Sequence, residues 1–492
     1  MYAITRIFSA AIISFFVCFH VIPCIASPSA FNSQDIAVIK QYLLANIATD
    51  NHSFVKLENG KKIYSQNGSV LASPSNKGDH FSQDYQFHWT RDAALTMREV
   101  THWYETGDAA QKTFLKPYLL NYVFFEKEAQ TQQSLPGEET LGQPKFNMDA
   151  TIWEGAWGRP QNDGPALRAI TLMAIREQFK AEPSLQTIDG YILQMVKTDL
   201  DYVVSHWQQS SFDLWEEVND PDHFYTQMVQ RKALHEGATL FPGTKDALLY
   251  DAAANEITAR LKQHWQPQLG FYSETINQLN NKGGGLNSAI ILAVLHGELD
   301  NANDDFALTN DHVISSIYAI RKAFALHYDI NRQHASLPPL IGRYPSDIYD
   351  GDQFQGGNPW VLTTNALAQY YYALAARYER LGVIAITSQT LPFFEDLNRD
   401  LFGGHPETIN ATKQPKRFQQ ILEALMTEGD RYLQRIKSYG VCYHAGDCLH
   451  FAEQIDRSSG EQTSAKDLTW GYASILTALD ERELITMGGS SG

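Results

Sequence analysis

Apolar residues recur at three- and four-residue spacing through most of the chain, while alternating runs are few and short. The period predicts helices over 33–47, 93–104, 111–131, 164–180, 187–205 and 224–236. It predicts others over 245–263, 286–296, 311–327, 359–380, 415–436 and 464–482, with Ser33 as the cap of the first. Roughly twelve helices and no convincing sheet make the expected class all-α. Between the helices lie polar, aromatic-rich segments, and these hold nearly every unusual residue cluster. A helical scaffold carrying its function on loops is the usual arrangement. No low-complexity linker divides the chain, and residues 487–492 read as a flexible tail.

The first 27 residues break the pattern. Arg6 is their only charge, Ile7 to Ile22 is almost wholly apolar, and Cys24-Ile25-Ala26 or Ile25-Ala26-Ser27 offers small residues for cleavage. That reads as a secretory signal, because the run is short for a membrane span and lacks a stop-transfer flank. A secreted, extracellular protein with no stable membrane association is the expectation. Cys18 and Cys24 leave with the signal, and Cys442 and Cys448 remain, close together in an oxidising destination. They are expected to pair, closing a short loop that contributes on the order of 2 kcal/mol. His444 and His450 have no second ligand pair at a usual spacing, so no metal and no cofactor is expected.

Composition narrows the partners. The 492 residues can bury a large core, and a formal net charge of −17 argues against nucleic acid or an anionic membrane. Nine Trp, 24 Tyr and 25 Phe supply ring faces that stack on sugars, although they also fill ordinary cores.

The stretch Phe212-Asp-Leu-Trp-Glu-Glu-Val-Asn219 carries the sharpest chemistry. A carboxyl held against the Trp215 indole loses solvation and keeps a proton near neutral pH, which suits a general acid for glycoside cleavage. An ordinary helix start, with Asp213 as cap and Glu216 and Glu217 in the first turn, explains the same octapeptide. Four further clusters join Trp or Tyr to Arg, Asp or Glu. They are Trp89-Thr-Arg-Asp92; Trp157 to Arg168; Gly342 to Asp347 with Gly357 to Trp360; and Glu453-Gln454 with Ser464 to Trp470. Such a mixture stacks on a pyranose and grips its hydroxyls. Each cluster alone has a structural explanation as ion pair or core. Five together in one all-α chain do not.

Trp-Gly-Arg-Pro-Gln-Asn-Asp-Gly-Pro-Ala-Leu-Arg and Asp-Leu-Trp-Glu-Glu-Val-Asn resemble signatures of the glucoamylases of glycoside hydrolase family 15. The resemblance runs from about Asn32 to Arg482. It implies an (α/α)6 barrel in one catalytic domain, residues 28–486, with no starch-binding module. It implies Glu216 as general acid and Glu453 as general base. Arg91 and Asp92 would hold the nonreducing-end glucose with Arg343, and Trp157 would line it. Tyr85, Glu217 and Trp360 fall at ligand-contacting positions, and Ser464 aligns with a serine near the base. Trp89, Arg159, Trp215 and Asp347, inside the same motifs, complete the expected sugar-binding set. Neighbouring Glu216 and Glu217 cannot themselves be the couple, since an inverting pair stands roughly 6.5–9.5 Å apart around a sugar and its water. Ser346, where the family often has an acidic residue, and Gln86 with Phe87 depart from the pattern and bear on chain-length and linkage preference.

The expected activity is inverting, exo-acting release of β-glucose from starch, glycogen and malto-oligosaccharides by a monomer. Relatives cleaving trehalose or dextran-type glucans, and a noncatalytic glucan-sensing barrel, are the alternatives.

Overall fold

Asn32, not Ser33, caps the first helix. Its side chain accepts from the backbone of Gln34 and Asp35, while Asp35 reaches back to the Asn32 N–H. Asparagine and aspartate three residues apart make a reciprocal cap that the serine between them does not need to supply. The structure is a computed structural model describing residues 29–488 apart from 59, 77–82, 139, 181 and 445–446. The signal expected over Met1–Ser27 lies outside the described residues.

In chain order the helices are α1 (Ser33–Leu44), α2 (Thr90–Thr106), α3 (Ala109–Gln130), α4 (Asp163–Phe179) and α5 (Gln186–His206). Next come α6 (Phe224–Leu240), α7 (Lys245–Leu261), α8 (Ala289–Gly297), α9 (Asp311–Ala325) and α10 (Asp329–Gln333). The last are α11 (Val361–Leu381), α12 (Leu391–Asn398), α13 (Pro415–Lys437) and α14 (Thr469–Gly488). Two of the fourteen, α10 and α12, are too short to show a period, which is why the apolar pattern missed them. Met487 and Gly488 belong to α14, so the helix runs two residues into the stretch expected to be tail.

Six helices close into a ring. α2 packs on α4, α4 on α6, α6 on α8, α8 on α11, α11 on α14, and α14 returns to α2. Outside them, α1, α3, α5, α7, α9 and α13 each cover an inner partner. The expected (α/α)6 barrel is present. Burial follows from the layers: α11 is inner and buried on nearly every side, Val361 through Tyr378. Outer α13 buries one stripe, including Phe418, Ile421, Leu422, Leu425 and Leu433, and offers its other face to water.

Charges tie layers where apolar contact alone would let them slide. Arg168 on α4 is 1 % exposed and donates to Glu126 of α3 at 3.1 Å and to Asp199 of α5 at 2.6 and 2.9 Å. The expected lack of a large sheet holds, but six two-stranded antiparallel pairs occur among the described residues, three of them being β1 (Val55–Glu58) with β2 (Lys61–Tyr64), β7 (Trp265–Gln266) with β8 (Phe271–Tyr272), and β9 (Val383–Ile386) with β10 (Glu407–Asn410). Several sit where the chain enters an inner helix and aim the residues that follow. β3 (His88–Trp89) pairs with β4 (Lys145–Phe146), β5 (Ser211–Phe212) with β6 (Asn219–Asp220), and β11 (Gln454–Ile455) with β12 (Gln462–Thr463).

Candidate active site

Every inner helix begins on the same side of the barrel, so the segments entering them converge there. The residues before or within the first turn of α2, α4, α6, α8, α11 and α14 wall a cavity of about 440 Å³. Tyr85, Trp89, Arg91, Asp92, Trp157, Trp215, Glu216, Glu217, Arg343, Trp360 and Glu453, all singled out in the sequence, line it. Trp470 lines it too, and also a second cavity of about 300 Å³ further along the barrel axis, so its indole lies between the two.

Glu216 stands at the tip of the β5–β6 hairpin, and no helix starts there. Its N–H donates to the Asp213 carbonyl at 2.9 Å, and Asp213 Oδ1 accepts from the N–H groups of Glu217 and Val218 at 2.6 and 2.8 Å. Asp213 thus caps a tight turn, and Glu216 takes φ +65° in the left-handed region. For a residue with a Cβ that conformation costs about 1 kcal/mol or more, and the surrounding bonds hold it. The chain at Gly158 passes so close that a Cβ there would lie 2.8 Å from the Phe212 ring.

The apolar setting expected around Glu216 is not what the structure has. The Trp215 indole turns away and donates to Asn287 Oδ1 at 2.9 Å. Glu216 Oε1 instead accepts from Trp89 Nε1 at 2.8 Å, Gln161 Nε2 at 3.1 Å and Arg91 Nη2 at 3.3 Å. With one oxygen occupied by three donors, a proton on this carboxyl belongs on Oε2.

Arg91 also donates to Gln161 and Asp163, both at 2.9 Å. Asp92 beside it is raised to about 6 by burial, with the Arg91 charge working the other way. Across the cavity, Arg343 donates to both oxygens of Asp347 at 2.7 and 2.8 Å and to Glu217 Oε1 at 3.1 Å. Tyr344 donates to Glu217 Oε2, and Lys282 lies 3.1 Å from Oε1. Burial opposes the Glu217 charge, but these three partners hold its carboxyl below the ordinary range. Glu217 is a saturated anchor for its loop.

Glu453 precedes β11 and Ser464 follows β12, so one short hairpin sets them side by side. Ser464 Oγ and Gln454 Nε2 both donate to Glu453 Oε2, the latter at 3.1 Å. The backbone is pinned as well: Glu453 N–H donates to the Ala465 carbonyl and its own carbonyl accepts from Val361. Burial pushes the Glu453 carboxyl up to about 7, against the pull of those donors. Just upstream, Cys442 and Cys448 form the expected disulfide.

Three residues expected at the sugar stand behind the wall. Arg159 spends its guanidinium on Gln143 Oε1 and the carbonyls of Trp153 and Gly155, so it braces the loop carrying Trp157. Asp347 supports Arg343, and Ser464 supports Glu453. Among the lining residues missed as contacts are Lys282, Tyr349, Phe354 and Trp470. Tyr349 and Phe354 occupy the gap between two motifs already noted, and Trp470 closes the last one. Lys282, alone among Asn and Gly residues, carried no usable signal. Among the described residues no group of three or more His, Cys, Asp or Glu side chains is placed to hold a metal ion.

The profile of glycosyl hydrolases family 15 matches residues 50–480. The chain belongs to that family. A relative, the glucoamylase of Blastobotrys adeninivorans, is 35 % identical over 436 residues, covering 85 % of this chain and 67 % of its own length. A glucoamylase of Saccharomycopsis fibuligera is 30 % identical over 485 residues, covering 90 % and 88 %. Among solved structures, a family 15 glucoamylase from Hypocrea jecorina superposes with a TM-score of 0.78 at 32 % identity, over 92 % of this chain and 72 % of that one. That likeness places the six-over-six helical ring in family 15 rather than in a looser set of helical barrels.

Proposed function

We infer that this family 15 chain hydrolyses α-glucans from their nonreducing ends and releases glucose, chiefly at α-1,4 links and more slowly at α-1,6. The observation that carries the reading is one cavity whose wall holds Glu216 and Glu453, delivered by separate hairpins far apart in the chain, while its other two carboxyl groups, Asp92 and Glu217, are engaged with Arg91 and Arg343. In the proposed reaction Glu216 Oε2 gives its proton to the glycosidic oxygen as the bond from C1 to that oxygen breaks. A water on the opposite face of the ring attacks C1 and loses its proton to Glu453. One displacement inverts C1, so the α-linked sugar leaves as β-glucose. Arg91, Asp92 and Arg343 are read as the groups that bind the terminal glucose, with Trp157 against its face.

Export is part of the proposal. The predicted signal and the Cys442–Cys448 disulfide both suit an oxidising destination. No helix among the described residues is long and apolar enough to cross a membrane.

Proton NMR of the first product from maltoheptaose, read before mutarotation, tests the mechanism. The expected result is β-glucose as the sole early product. An initial α signal would mean retention and make Glu453 a nucleophile, and a ladder of mid-sized oligomers would mean internal attack. Trehalose and isomaltose as parallel substrates separate the reading from its relatives.

A further inference from the structure

Behind the cavity wall sits a charge the reaction as described does not use. Lys145 is 3 % exposed, and among the described residues no acceptor or carboxylate partners its Nζ. An ammonium so largely withdrawn from water is expensive unless something replaces the lost solvation. Here four ring faces do so: Nζ lies 4.0 Å from the centroids of Phe87, Trp153 and Trp157 and 4.5 Å from that of Trp89. The rings touch one another in a closed cycle. Phe87 meets Trp89 at 6.0 Å, Trp89 meets Trp157 at 5.9 Å, Trp157 meets Trp153 at 5.5 Å, and Trp153 meets Phe87 at 5.7 Å. The strands fix the register, because Lys145 on β4 is the direct cross-strand partner of Trp89 on β3.

Two of the four rings, Trp89 and Trp157, line the catalytic cavity, and Trp89 is the indole that donates to Glu216 Oε1 at 2.8 Å. We propose that Lys145 is a positioning residue for the acid: its ammonium clamps the aromatic cycle and so holds the Trp89 N–H on Glu216. A cation attracts several ring faces at once, and each ring then has one orientation that keeps its contact. A methionine in the same space would fill the box but leave the indoles free to turn. The inference rests on the reading of Glu216 as the acid.

Burial draws the Lys145 ammonium down to about 8. The charges facing it from the surrounding elements are Lys56, which lies 3.2 Å from the Phe87 centroid, Asp84 paired with Lys56, Glu58 accepting from Trp153, Arg159 behind Trp153, and Glu216.

Lys145→Met tests the proposal on two substrates. Maltose needs a proton delivered to its leaving oxygen, whereas α-glucosyl fluoride expels fluoride with little help. Loss of positioning should lower kcat/KM for maltose at least tenfold and for the fluoride less than threefold. Tm should equal or exceed that of the wild type, since a desolvated charge has been removed. Equal losses on both substrates with a lower Tm would mean a merely structural lysine, and constants within twofold of the wild type on both would also overturn the proposal. Should that variant not fold, Lys145→Gln decides on the same two substrates: the same maltose-selective loss is expected, and an equal loss on both, or none on either, would overturn the proposal. Glu216→Gln, assayed separately on maltose, tests the acid reading itself, so its failure is distinguishable from failure of the clamp.

Discussion

Glu216 and Glu453 differ in how their carboxyls are held, and the difference sets what each substitution should do. Glu216→Gln keeps an oxygen for the Trp89, Gln161 and Arg91 donors but removes the proton. Turnover of maltose should fall by at least about a thousandfold while KM changes little, because the proton matters only in the transition state. Single-turnover kinetics check this, and a larger loss in Glu217→Gln would reverse the assignment. Glu453 makes a stability prediction. Its folded carboxyl, raised to about 7, keeps a proton that the unfolded chain releases near 4.5. The folded state therefore binds more protons between those values, and stability falls as pH rises through that window, by about 3 kcal/mol in total. Glu453→Gln carries no such penalty. Its Tm should match the wild type at pH 4 and exceed it progressively up to pH 7, as calorimetry would record. That both residues belong with the clusters lining one cavity was legible in the sequence through the motifs around them. Their surroundings were not. The adjacent Trp215 suggested an apolar neighbour, whereas the indole that meets Glu216 comes from Trp89 across the fold, and sequence adjacency carries no information about such contacts.

At the scale of elements, periodicity located the twelve longer helices to within a few residues at most ends, because an inner or outer stripe repeats often enough to register. The two-stranded pairs escaped, since eight of their twelve strands are two residues long and cannot show alternation, and the rest have only four residues. Two of those pairs aim Glu216 and Glu453, so on the proposed roles the least visible elements carry the chemistry. The loop 348–357 is a related case. It leaves Phe354 64 % exposed at the cavity rim, 5.6 Å from the Lys282 ammonium and 6.1 Å from the Tyr349 ring. A bare phenyl face there suits the apolar side of a second or third glucose unit. Phe354→Ala should raise KM for maltoheptaose about three- to tenfold and leave KM for maltose within twofold. An equal rise on both substrates would place the ring at the first sugar instead.

The whole molecule is a closed ring, and closure was inferred from a resemblance rather than from any pattern in the residues, because no local period says which helix returns to which. The layers depend on a few buried charges. Arg168→Met would leave Asp199 without its cation and Glu126 with His88 alone, and loss of one partner from such a group costs about 3–5 kcal/mol. The single thermal transition should shift down by several degrees without splitting, since α3, α4 and α5 share the core with the rest. Two resolved transitions would show that this quarter of the barrel unfolds by itself.

Closure of α14 onto α2 also has a consequence in time. The acid hairpin lies in the first half of the chain, and the hairpin bearing Glu453 comes immediately before the helix that shuts the ring. On the proposed roles, a nascent chain still being synthesised carries the acid without its water-activating partner, and intermediates of assembly should be chemically silent toward glucan. The onset of glucose release should then time the final docking event, so following it during refolding would read out completion of the barrel.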